Sequence, residues 1–321
     1  MSLLRWIFQA PKPATYSTTS FPSELCWFPW EQSKIPCLWA PHQGSHTVLL
    51  YLHGNASDLG TDRDFVWRMR SAFQVNVLAV EFPGYGPLVS WELPSEERFF
   101  QRVHHVCAVL AEMPSVETII VMGYSLGATA AIHLAAHLPS PKVKALILYS
   151  PFSSLHDLID DVANNPFLAG TLKRLVPNHA FHNHQTIQDI HIPIAIFHGN
   201  LDQLIPLRHS EQLSRAAPNA RLVILEGMTH HISATTRSEA QLFEQTRDFL
   251  SSAISPPSSP PLLAAISFPD SYWNPPSLLR ALHLPDGDES FPTTSVVVGV
   301  GLALLIVLAL YMLRHCHKHR R

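Results

Sequence analysis

The chain has 321 residues, of which 46% are apolar and 15% charged, and a formal net charge of −3. That length and composition suit one globular domain with a full core plus additional segments. Arg314, Lys318, Arg320 and Arg321 all lie in the last eight residues, so the body holds 18 basic against 25 acidic residues, a net of about −7 without a basic stripe, which excludes nucleic acid as the expected partner.

Residues 1–20 read as an N-terminal extension, and 21–254 as the globular domain. "ELCWFPW" (24–30) and "PCLWAP" (36–41) suggest an antiparallel edge. Six short apolar runs then read as strands buried on both faces: "TVLLYL" (47–52), "VNVLAV" (75–80), "TIIVM" (118–122), "KALILY" (144–149), "IPIAIF" (192–197) and "RLVIL" (221–225). Helical patterns occupy 61–73, 95–112 with Ser95 as N-cap, 126–138, 208–216 and 235–252. Strands alternating with helices predict an α/β fold, a mostly parallel central sheet covered by helices on both faces, with a small cap over about 152–190.

The composition changes after residue 254. Residues 255–294 contain nine prolines and clusters of serine, and read as an extended linker. "VVVGVGLALLIVLALYML" (296–313) is uncharged and long enough to span the hydrocarbon core of a bilayer, so 295–313 is expected to be a transmembrane helix, with 314–321 a basic tail. "MSLLRWIFQA" is too short and too interrupted by Arg5 for a signal peptide, and Ser2 does not fit the myristoylation pattern. A tail-anchored protein is therefore expected, its domain facing the cytosol from the endoplasmic reticulum or mitochondrial outer membrane. The basic tail pulls the other way by the positive-inside rule. Cys26, Cys37, Cys107 and Cys316 show no paired spacing and read as free thiols of a reducing compartment.

The chemistry centres on "VMGYSLGATAAIHLAAHL" (121–138), where a strand stops, a helix starts, and Ser125 stands between Gly123 and Gly127. A serine there can simply cap the helix. A Gly-x-Ser-x-Gly elbow uses the same small neighbours to hold a nucleophile on a strained turn above the sheet. Partners decide between these, and parallel sheets place them at the C-terminal ends of strands. "FHGNLDQLIP" supplies Asp202, "EGMTHHIS" supplies His230 beside His231, and "LHGNASDLG" supplies Asn55. Alone, each has a plain reading as a cap, a surface histidine or a turn. Together they fall at four strand ends in the order nucleophile, acid, base. Ser125, Asp202 and His230 are thus the expected catalytic residues, with the backbone N–H groups of Asn55 and Leu126 as the oxyanion hole. No metal or cofactor is required.

The chain resembles the α/β-hydrolase superfamily and, within it, the α/β-hydrolase domain-containing protein 17 and 13 group. The stretches that carry this are "HGNASDLG" (53–60), "EFPGYGP" (81–87) with "PSEE" (94–97), "GYSLG" (123–127), "YSPFSS" (149–154), "HGNLDQLIP" (198–206) and "EGMTHH" (226–231). The resemblance implies a serine hydrolase of esters or thioesters, with fatty acyl groups on membrane proteins the substrate class of the 17-type members. Two departures stand out. The palmitoylated N-terminal cysteine cluster of the 17-type is missing, and Thr229 and His231 replace a glycine and an asparagine of the usual Gly-x-Gly-His-Asn tail motif. The expected partners are an acylated protein or lipid substrate and the bilayer. A serine peptidase, a small-ester hydrolase and a non-catalytic membrane scaffold are the competing functions.

The histidines of "HAFHNHQ" (179–185) lack acidic or Cys partners at metal-ligand spacing. The "NAS" sequon (55–57) coincides with the oxyanion turn, where a glycan would block the site. Phe152, Phe167, Leu168 and Leu172 are candidates to line an acyl channel.

Overall fold

The structure is a computed structural model that describes residues 7–88, 94–137, 140–163, 165–177, 180–232, 236–254 and 264–276. The expected transmembrane segment, the basic tail and Cys316 lie outside the described residues, as does most of the expected linker.

Eight strands form one sheet: β1 (Leu25–Trp30), β2 (Ser33–Ala40), β3 (Thr47–Leu52), β4 (Asn76–Val80), β5 (Thr118–Tyr124), β6 (Val143–Tyr149), β7 (Ile194–Gly199) and β8 (Ala220–Leu225), in spatial order β1-β2-β4-β3-β5-β6-β7-β8. β1 and β2 form the antiparallel edge, β2 joins β4 antiparallel, and β4 through β8 are parallel. β7 starts two residues later than the apolar pattern suggests, after Pro193, which has no N–H to give to a ladder.

Alternation along the strands feeds two cores. Val48, Leu50 and Leu52 of β3 face one layer, with Phe99 and Val103 of α2 (Glu96–Glu112), Ala128 and Ile132 of α3 (Leu126–His137) and Leu213 of α7 (Arg208–Ala216). Leu49 and Tyr51 face the other, with Val66 and Met69 of α1 (Leu59–Phe73) and Leu242 and Phe249 of α8 (Thr236–Ala253). Because β3 is buried on both faces, its pattern is a continuous apolar run rather than an alternating one.

The cap contains α4 (Leu155–Ala163), α5 (Pro166–Lys173) and the single turn α6 (Asn183–Thr186). Asn165 starts α5, its side chain accepting from the N–H groups of Phe167 and Leu168, while Pro166 occupies the first turn, where its missing N–H costs nothing.

Residues 264–276 depart from the linker expectation. They lie against the antiparallel edge, with Ile266 and Phe268 buried and Phe268 within 5.1 Å of the Phe28 ring and 5.0 Å of the Trp39 ring. Four large apolar residues in this stretch are too sparse to show a period, yet they suffice to cover the flank of β1 and β2. Cys26 and Cys37 face each other across that pair as free, buried thiols, and Cys107 is likewise free and buried.

Candidate active site

β5 delivers the chain to Ser125, whose φ of +52° places a non-glycine residue in the left-handed region. The turn is held by two backbone bonds, Ser125 N–H to Tyr149 O at 2.9 Å and Ala128 N–H to Ser125 O at 3.0 Å. The flanking glycines are required by close approach: a Cβ on Gly127 would lie 2.2 Å from Leu52 O, and one on Gly123 2.5 Å from Ala128 Cα. The sheet, the elbow and α3 therefore meet only if both side chains are absent.

Ser125 Oγ lies 3.1 Å from His230 Nε2, and His230 Nδ1 lies 2.8 Å from Asp202 Oδ2. An ionised carboxylate can only accept, so Nδ1 carries the proton and Nε2 is left to accept from the Ser125 hydroxyl. Asp202 Oδ1 accepts from the N–H groups of Leu204 (3.0 Å) and Ile205 (2.9 Å). Burial pushes the Asp202 carboxyl up, but the hydrogen bond and charge of His230 and the Ile205 N–H outweigh it and hold the group below the usual carboxylate range. Behind it His198 donates from Nε2 to Ile205 O and accepts at Nδ1 from the Ser210 hydroxyl; burial holds its pKa down against the pull of Asp202, which favours the neutral ring.

Leu126 opens α3, so its N–H is among the four at a helix start that have no partner within the helix. Leu126, Asn55 and Ser125 line the same cavity. The side chain of Asn55 is occupied elsewhere: Oδ1 accepts from Gln9 N–H (2.8 Å) and the Tyr85 hydroxyl (2.6 Å), and Nδ2 donates to Ile7 O (2.6 Å). The amide that a glycan would need is therefore engaged. Beneath the turn His53 and Glu81, both fully buried, meet at 2.9 Å, and the other His53 nitrogen lies 2.8 Å from Gly54 O.

The cavity measures about 670 Å³. The cap lines it with Phe152, Leu155, Leu158, Ile159, Leu172 and Val176, whereas the start of α1 contributes Thr61, Asp62 and Asp64. Of the four channel candidates, Phe152 and Leu172 line the cavity. Leu168 packs against the core, and Phe167 is 86% exposed on the outer face of α5. His231 reaches the cavity wall but makes neither triad contact. In 180–185, His182 Nδ1 bonds Gln185 and the His184 N–H donates to Ser153 O; among the described residues no group of His, Cys, Asp or Glu is arranged to hold a metal.

Sequence reasoning passed over His53, Glu81, Tyr124 and the N-terminal segment. Tyr124 donates to His230 O (2.9 Å) and sets its ring beside the imidazole, a role without a sequence signal beyond adjacency to Ser125. The N-terminal segment offered a better clue, since Phe8 and Tyr16 are large apolar residues for which an exposed extension has no use, and both are buried.

A family model described as serine aminopeptidase, S33, matches residues 43–188. The α/β-hydrolase domain-containing protein 17C of Xenopus tropicalis is 27% identical over 232 residues, covering 70% of this chain and 69% of that protein. Lysophosphatidylserine lipase ABHD12 of Macaca fascicularis is 27% identical over 193 residues, 55% of this chain and about half (47%) of its own length. Among solved structures the Pyrococcus furiosus esterase Pf2001 superposes with a TM-score of 0.58 at 17% identity, covering 77% of this chain and 97% of that one, a likeness of fold. The matched span holds Asn55, Ser125 and the cap, and the fold carries the remaining strand ends to the same place. Over residues 43–188 the chain is similar to that serine aminopeptidase family, and its eight-stranded sheet has the arrangement of the α/β-hydrolase fold.

Proposed function

We propose that the protein hydrolyses fatty-acyl esters or thioesters, with Ser125 as nucleophile, His230 as base, Asp202 as its orienting acid, and the N–H groups of Asn55 and Leu126 as the oxyanion hole. The observation that carries the substrate class is the cavity: side chains of the cap form an apolar wall beside Ser125, which suits an alkyl chain. The polar positions on α1 suit a leaving group. A relative named as a lipase supports the same reading.

In the reaction His230 Nε2 takes the Ser125 hydroxyl proton as Oγ bonds to the acyl carbon, and the carbonyl oxygen becomes the oxyanion. Collapse breaks the bond to the leaving alcohol or thiol, which receives the proton from His230. Water then attacks the acyl-enzyme, with His230 again as base, and the free acid departs. Asp202 stays ionised throughout and stabilises the imidazolium.

Ser125→Ala is expected to remove turnover by about a million-fold or to the background of the assay while leaving the unfolding midpoint close to that of the parent. The measurement is kcat/KM on a long-chain acyl thioester, a short-chain ester and an aminoacyl amide, alongside labelling by a fluorophosphonate. Preference for the amide would replace this reading by the peptidase, preference for the short ester by the small-ester hydrolase, and failure to label by the scaffold.

The reading extends to the membrane. We propose that 296–313 anchors the domain to the bilayer whose acylated proteins or lipids it hydrolyses, raising their effective concentration without altering the pocket. Deleting 295–321 is expected to spare hydrolysis of a soluble ester and to lower turnover of vesicle-held acyl substrate at least about tenfold. Loss on both substrates would make the segment structural, and loss on neither would detach anchoring from substrate supply.

A further inference from the structure

The turn that carries Asn55 is strained and does not stand alone. Ala56 has φ +58°, a left-handed conformation disfavoured for a non-glycine residue, so neighbours must hold the turn in shape. Those neighbours come largely from residues 7–16. Ile7 O and Gln9 N–H grip both ends of the Asn55 carboxamide. Six residues on, Thr15 gives its N–H (2.8 Å) and its hydroxyl to the Asp58 carboxylate, which also caps α1 through Thr61 N–H (2.9 Å). Tyr16 then donates its hydroxyl (2.7 Å) to Glu81 Oε2, the carboxylate that holds His53 and accepts from Leu59 N–H.

The fold makes room for this segment. A Cβ on Gly60 would lie 2.4 Å from Thr15 Oγ1, and one on Gly86 2.5 Å from the Tyr16 hydroxyl, so both glycines leave the volume the segment fills. Phe8 buries its ring among Tyr85, Phe99 and Phe181, at centroid distances of 6.5, 5.8 and 6.2 Å. Ile7 and Gln9 also line the cavity that contains Ser125. A segment with four hydrogen bonds to the turn from Asn55 to Asp58, a fifth to Glu81, an aromatic anchor and two vacated Cβ positions is a built part of the site.

We propose that residues 7–16 form a strap that positions the oxyanion donor: the Asn55 side chain clamps the turn to the strap so that the Asn55 N–H is held ready for the developing oxyanion. This rests on the catalytic reading given above. Asn55, Gln9 and Tyr85 are positioning residues, acting through the N–H of the turn rather than on the substrate's reacting bond. Their loss acts on kcat, because an oxyanion donor works on charge that appears only in the transition state.

The test uses the full chain and hydrolysis of a soluble p-nitrophenyl ester. Asn55→Ala, which removes both grips, is expected to lower kcat about tenfold to a hundredfold with KM changed less than about twofold, the size expected of a displaced rather than deleted donor. Tyr85→Phe removes a single hydroxyl and is expected to give a smaller fall in kcat, again without a KM change. Asn55→Asp keeps the acceptor and shape and is expected to recover part of the Ala loss. Gln9→Pro removes the N–H grip from the strap side, and its effect on kcat in an Asn55→Ala background is expected to vanish, since both changes break the same bond. The unfolding midpoint of each variant is measured in parallel. Should Asn55→Ala fail to fold, Tyr85→Phe and Gln9→Pro carry the test. Unchanged kcat in folded variants, a rise in KM in place of a fall in kcat, or additive effects of Gln9→Pro and Asn55→Ala would overturn the strap while Ser125→Ala stayed inactive. Activity in Ser125→Ala would instead overturn the catalytic reading beneath it.

Discussion

Two stretches outside the alternating strands and helices fold back on the domain, and they do so by different chemistry. Residues 7–16 reach the C-terminal ends of the parallel strands and are tied there mainly by hydrogen bonds to Asn55, Asp58 and Glu81. Residues 264–276 lie against the flank of β1 and β2, where the sheet is antiparallel, and are tied by Phe268 and Tyr272 against Phe28 and Trp39. A hydrogen bond adds only about 1 kcal/mol net but fixes distance and direction, whereas a buried aromatic ring adds several without specifying either closely. The first kind of attachment suits a site that needs geometry. The second suits an edge that needs cover, since β1 is the outer strand and covering its flank protects it.

Phe268→Ala breaks the comparison most severely on the stability side. It removes a 7% exposed ring that contacts Phe28, Trp39 and Tyr272, and the expected cost is about 3–5 kcal/mol, read from urea unfolding. The kcat of the folded fraction is expected to remain that of the parent, because three strands separate β1 from β5 and its elbow. A fall in kcat of the folded protein would mean that the two attachments communicate, and that the division between cover and geometry is wrong.

The same division explains what was legible in the sequence. The runs of β3 to β7 and the four strand-end motifs were readable because burial on both faces forces continuous apolar composition, and because a nucleophile elbow tolerates few residue types at Gly123 and Gly127; β8, an edge strand, departs from the expected burial, with only Leu225 buried. Ser125, Asp202 and His230 stand at the ends of β5, β7 and β8 and close into one hydrogen-bonded chain. The helices α4 and α5 were not resolved within the cap, although Leu155, Ile159 and Ala163 recur every four residues along α4 and Asn165-Pro166 carried a start signal for α5. The strap and residues 264–276 were missed because each is held by a few long-range contacts, and neither a hydrogen bond across 46 positions nor a ring packed edge-on across 240 leaves a local pattern.

A smaller effect sharpens the contrast, because only the strap side depends on charge within the neutral range. His53 faces two acceptors, Gly54 O and the Glu81 carboxylate, so both ring nitrogens donate and the imidazolium is favoured. Burial alone would lower its pKa, but the hydrogen bond and charge of Glu81, with Asp62 and Gly54 O, raise it above the ordinary histidine value. A folded pKa above the unfolded value of about 6.5 means stabilisation that is complete below that pH and lost as pH rises through the raised value. Four other histidines act in a different window. His133 and His209, each lowered to about 4, and His104 and His198, also lowered, disfavour folding when protons bind the unfolded chain, so their contribution grows up to about pH 6.5 and is constant above it. Asp58 and Asp202, held below the carboxylate range, add stability that is lost only as pH falls through their folded values. Above roughly pH 6.5 the decline therefore belongs to the His53–Glu81 pair among these groups. Unfolding free energy measured from pH 6.5 to 8, below the range in which the cysteines of the unfolded chain ionise, is expected to fall in the parent, to fall with the same slope in Phe268→Ala from a lower starting point, and to be nearly flat in Glu81→Gln, where the charge that raises His53 is gone. An undiminished slope in Glu81→Gln would place the titrating group elsewhere and leave the turn beneath Asn55 without its charged support.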